Sequence, residues 1–141
     1  GGIDYTALKS FFEERLPSPN LFYAIRIRGS FEYIKCGSAY RQERPYDKSI
    51  PRMLEGRPVF EAENISGTLV GFWCPDYIGD INTGGFHLHF VADDRSMGGH
   101  LLEFRAAALE IGYDTKAGYS FVLPMNDDLI NARFRDEEVN Y

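Results

Sequence analysis

Cysteine and long apolar runs are scarce in these 141 residues, and each scarcity removes a class of protein. The only two cysteines, Cys36 and Cys74, are far apart in sequence. Without C-x-x-C spacing they make neither a zinc ribbon nor a dithiol redox centre. Each lies in an apolar run, so both read as buried, reduced thiols of an intracellular protein. No apolar stretch approaches the ~20 residues of a membrane span, and no secretory leader pattern is present. The balance of 15 Lys+Arg against 21 Asp+Glu gives a net charge of -6, short of the clustered cations that a phosphate backbone requires. Neither nucleic acid nor membrane is an expected partner. A G-x-S-x-G nucleophile elbow is also missing, as are internal repeats, low-complexity tracts and linkers.

Aromatic residues, by contrast, are abundant, with 11 Phe and 9 Tyr, and they favour strands. The length suits one domain over residues 1–141 with a proper core. The expected fold class is α+β: a mixed, largely antiparallel β-sheet with a few packing helices. Leu8, Phe11, Phe12 and Leu16 fall at helical spacing behind the capping residue Asp4, which predicts a helix over Asp4–Leu16. Pro17 and Pro19 end it. Residues 20–36 read as a hairpin turning at Gly29-Ser30, and 57–63 with 67–74 as two strands joined by a tight connection. Residues 37–56 form a long connection ending in one short helix. Residues 101–114 fit either a helix, which Ala106–Ala108 favour, or a long strand after Gly98-Gly99; taken as strands, runs are expected at 101–110 and 119–123. A capped helix is expected over Asn126–Phe134.

All three histidines of the chain fall within residues 82–100. His87 and His89 are two apart, so in a strand they project to one face while Phe86, Leu88 and Phe90 take the other. A reversal through Asp94 to Gly99 returns His100 beside them. Three imidazoles on one side of a hairpin are what a divalent transition metal with open positions requires. Asp93 shares strand parity with His89 and is a candidate ligand or orienting acceptor; equally, Asp93 and Asp94 cap the turn. The H-x-H with Asp93 four residues on overlaps the cupin pattern, which however uses Glu there and a later third histidine. The basic candidates for an anion are Arg26, Arg28 and Arg41; solvated charge on an open sheet face is the commoner use of the first two.

The segments NLFYAIRIRGSFEYIK, RQERPY, GTLVGFWCPDYIGDIN, GFHLHFVADDRSMGGHLLEF and LPMNDDLINA together resemble the bacterial α-acetolactate decarboxylase family over about residues 5 to 135. The most specific part is H-x-H-x10-H followed by an apolar strand. The resemblance implies metal-dependent conversion of 2-acetolactate, a 2-hydroxy-3-keto acid, to acetoin and carbon dioxide. It implies Zn2+, or another divalent transition metal, on His87, His89 and His100. It implies a cytoplasmic enzyme and a homodimer.

Two departures qualify that reading. The family's active-site Arg falls in the segment Lys35-Cys36-Gly37-Ser38, where this chain has Gly37, and Arg41 is the tentative catalytic substitute. The family's two active-site Glu residues have no clear counterpart; Glu137 and Glu138 match the second poorly. The alternative is therefore a non-catalytic or repurposed metal-binding or interaction domain on the same scaffold.

Overall fold

The computed structural model describes residues 2–44, 46 and 48–132, without the side chain of Asp80. The chain forms two compact units: Gly1–Gly37 with Val59–Tyr119, and Ser38–Pro58 with Ser120–Tyr141. The first is an antiparallel sheet of β1 (Ile3–Asp4), β2 (Phe22–Gly37), β3 (Val59–Cys74), β4 (Gly85–Ala92) and β5 (Gly98–Lys116), with helix α1 (Tyr5–Arg15). The sheet order is β1-β5-β2-β3-β4, and β4 also pairs with β5, so β5, β2, β3 and β4 curl round and close, with the short β1 added on β5.

Binary patterning drives this closure. Along β4, Phe86, Leu88, Phe90 and Ala92 are buried and the alternate residues are not. They meet Phe31, Ile34, Leu69, Leu101 and Phe104 in one core, with Phe31 edge-on to Phe90 at 5.3 Å and to Phe104 at 5.9 Å. Burying each such side chain contributes roughly 1.5–3 kcal/mol. Helix α1 covers part of this core with Leu8 and Phe12, the latter edge-on to Phe86 at 5.1 Å. Its start is fixed by Asp4, whose Oδ1 accepts from the Ala7 N–H at 2.9 Å. Leu16, expected inside the helix, is its C-cap.

Three expectations about strands are corrected. Gly29-Ser30 does not turn the chain: β2 is one 16-residue strand, paired to β3 on one side and β5 on the other. Ser30 faces Ser66 across the strands, Oγ to Oγ at 2.9 Å, and pairing irregularities at Ser30/Phe31 and Phe31/Tyr33 make a bend there. Likewise, residues 64–67 sit inside a continuous β3, in which Asn64 takes a positive φ of 53°. Local turn chemistry is used here for bends within long strands, which a curled sheet requires. The third strand is also single: β5 runs 19 residues, and 119–123 contain no strand.

The second unit carries two short helices, α2 (Ile50–Leu54) and α3 (Asp127–Ile130). The α3 cap is Asn126, accepting from Leu129 N–H at 3.0 Å. Its expected end at Phe134, like Glu137 and Glu138, lies outside the described residues. Arg44 and Asp128 pair within this unit at 2.8 Å. No described helix is long and apolar enough to cross a membrane. Both cysteines are buried and free, and burial raises the Cys36 thiol to about 11.

Candidate metal centre

The outward face of the curled sheet gathers the three histidines. In antiparallel pairing, residues directly opposite one another present side chains to the same face. His89 is opposite His100 on β5, and His100 is opposite Gly37 on β2. On its other side His89 is opposite Val70, which is opposite Arg26. His87 lies one repeat back along β4, opposite Phe72. The turn between β4 and β5 sets this register: Asp94 Oδ1 accepts from Ser96 N–H at 2.9 Å, and Arg95 takes a positive φ of 61°. Two glycines on β3 let β4 approach closely. A Cβ on Gly71 would lie 1.9 Å from the His87 carbonyl oxygen, and one on Gly67 would lie 2.4 Å from the Phe90 ring.

The result is a compact set of donors. One ring nitrogen from each histidine lies within 4.8 Å of the other two. His87 Nε2 and His89 Nε2 are 3.2 Å apart, close to the ~3.3 Å separation of two ligands on a tetrahedral zinc with ~2.05 Å bonds. His100 sits edge-on to both rings, at 5.0 and 5.2 Å between centroids. Burial, and then the neighbouring His87, lower the His89 pKa, which favours the neutral imidazole that ligates metals. Three imidazole nitrogens gathered on one face fit an ion that keeps open positions. Asp93 is not part of the cluster; its N–H donates to the Ser66 carbonyl, and Asp94 is the turn cap.

Beside the histidines lies a concavity of about 610 Å³ lined by Ala24, Val70, Phe72, Asn82, His87 and His89. Phe72 and Val70 are 52% and 45% exposed there, an apolar wall next to polar nitrogens, as small-molecule sites tend to have. Arg26 is ion-paired to Glu110 at 3.9 Å, and Arg28 lies opposite Thr68. Arg41 is exposed in an irregular stretch of the second unit. Reading the sequence for basic residues missed Lys35, two positions from Gly37 on β2 and ion-paired to Glu61 at 3.1 Å. Its strand parity with Gly37 was the available signal.

An outward histidine cluster on a closed antiparallel sheet, able to hold a metal beside an apolar hollow, defines the class of site. The family profile described as alpha-acetolactate decarboxylase matches residues 1–136, and the chain belongs to that family. It is 42% identical to the alpha-acetolactate decarboxylase of Methanosarcina mazei, over 89% of this chain and 43% of that protein. It is 36% identical to that of Bacillus licheniformis, over 94% and 53%. The crystal structure of acetolactate decarboxylase from Bacillus subtilis subspecies spizizenii superposes with a TM-score of 0.88 at 32% identity, covering 96% of this chain and 58% of that one. The chain thus spans about half the length of the curated relatives it matches.

Proposed function

We propose that this chain is the histidine-bearing part of an enzyme that decarboxylates 2-acetolactate to acetoin and carbon dioxide. The observation that carries the reading is the meeting of His87, His89 and His100 within 4.8 Å on the outward face, in a member of this family. We take these three as the metal ligands, and zinc as the metal because an all-imidazole set suits it. When bound, the metal supplies Lewis acidity toward the hydroxyl and keto oxygens of a 2-hydroxy-3-keto acid.

The chain's own residues do the rest. The three imidazoles fix where a chelating ligand sits. Val70, Phe72 and Ala24 receive its methyl groups and exclude water from that side. As the carbon–carboxylate bond breaks, its electron pair passes to the adjacent keto group, and one proton taken up at that carbon completes acetoin. A cation must hold the carboxylate before it departs; Arg41 is one proposed source. The single domain, the homodimer and the cytoplasmic location belong to the same proposal. One cooperative unfolding transition tests the first, light scattering the second, and fractionation of the source cells the third.

Incubating the metal-loaded protein with each acetolactate enantiomer and assaying acetoin tests the activity. Metal-dependent acetoin from one enantiomer is expected. Bound metal with no acetoin from either would leave a non-catalytic metal-binding domain instead.

A further inference from the structure

The histidine face has two flanks of opposite chemistry. On the β3 side stand Val70 and Phe72. On the β2 side, the position directly opposite His100 is Gly37, which has no side chain. One strand repeat further along β2, about 7 Å, comes Lys35, opposite Glu61 on β3 and Glu103 on β5. Because neighbouring strands are antiparallel, the step from Gly37 to Lys35 runs in the same direction as the step from His89 to His87. Lys35 therefore lies on the same outward face, displaced from Gly37 toward the His87 end of the histidine row, past an irregularity in the β2–β5 pairing between Lys35 and Cys36.

We infer that Lys35 binds the carboxylate of the ligand held at the histidines, with Glu61 as its resting partner; this rests on the decarboxylase reading. Three observations support the assignment. Gly37, opposite His100, puts no side chain on β2 beside the histidines, and Lys35 is the next residue of β2 on that face. The Lys35 side chain is 34% exposed and its ion pair with Glu61 is partly solvent-exposed, with Glu103 as a second acidic neighbour, so an incoming carboxylate competes with exposed, weakly held partners. The other cations of this face are placed worse. Arg26 stands beyond Val70 and pairs with Glu110, and Arg105 lies a repeat further on, over the Tyr33 ring at 5.4 Å. The ligand is thereby oriented, with carboxylate toward β2 and alkyl groups toward Val70 and Phe72.

The test uses the cobalt(II)-loaded protein, with ligand binding followed by the cobalt visible spectrum. The probes are 2,3-dihydroxy-2-methylbutanoate, a hydroxy acid whose two hydroxyls can chelate while its carboxylate stays free and which has no keto group to drive decarboxylation, and acetoin, which has no carboxylate. Lys35→Met is expected to weaken the hydroxy acid about 10- to 100-fold, the loss of one charge-assisted contact, and to leave acetoin unchanged. Lys35→Arg keeps the charge and should stay within a few-fold of the parent, which also covers the case in which Lys35→Met does not fold. Glu61→Gln, which removes the competing carboxylate, should tighten the hydroxy acid. Unchanged hydroxy-acid affinity in Lys35→Met, equal weakening of both probes, or weakening by Arg41→Ala in its place would overturn the assignment. If the parent protein binds neither probe, the decarboxylase reading itself falls and takes this inference with it.

Discussion

The two faces of β4 belong to the same eight residues and do different work. Phe86, Leu88, Phe90 and Ala92 point inward and are buried, while His87 and His89 point outward toward His100. The inner face supplies cohesion: apolar area removed from water and aromatic edges against Phe31 and Phe12. The outer face supplies imidazole donors, and burial there, with His87 alongside, lowers the His89 pKa. Stability and chemistry are therefore separable along a single strand, one residue at a time.

The sharpest break of this comparison is Phe90→Ala. It should lower unfolding free energy by about 3–5 kcal/mol, read by urea denaturation of the metal-free protein. His89→Ala should do the converse. It should weaken zinc binding more than about 100-fold, beyond the effect of losing a mere orienting partner. Metal-free stability should stay within about 0.5 kcal/mol, as for other surface substitutions. Calorimetric zinc titration and urea denaturation on the same variant measure both.

Gly71→Ala joins the two faces. Its Cβ would meet the His87 carbonyl at 1.9 Å, so β4 must move; a cost of about 1–3 kcal/mol is expected, together with weaker zinc binding. An unchanged zinc affinity would show that β3 does not set the position of His87. The smallest effect belongs to the turn that returns His100. Hydrogen bonds from Ser96 hold the Asp94 carboxyl below its usual range. A carboxyl depressed in the folded state stabilises above its unfolded value near 3.9, and that contribution is lost as pH falls through the folded value. The unfolding midpoint of Asp94→Ala should accordingly lie slightly below the parent's at pH 7, with the gap closing in acid below about pH 4.

Much of this arrangement is legible in the residues themselves. Period-two alternation marks β4 and puts His87 and His89 together; Asp94 through Gly99 marks the reversal that brings back His100. Asp4 and Asn126 mark the two capped helix starts. What misleads is local turn chemistry: Gly29-Ser30 and Asn64–Gly67 carry turn residues, yet the first is held on both sides by long-range pairing and the second is held along β2, with β4 joining at Gly67. Gly67 is small because Phe90 packs over it, and Gly71 because the His87 backbone does, neither of which is written near them in the chain. The position of Lys35 is hidden for the same reason, since its relation to His87 exists only through the register of β2 on β5 and β5 on β4.

The central claim is that the outward face of β4 and β5 holds one metal ion among His87, His89 and His100. Anomalous diffraction at the zinc edge, from crystals of the zinc-loaded protein, tests it most directly. A single strong peak is expected within bonding distance, ~2.0–2.1 Å, of a ring nitrogen of each of the three histidines. A fully zinc-loaded protein whose anomalous peak lies elsewhere, or whose histidines carry none, would contradict it.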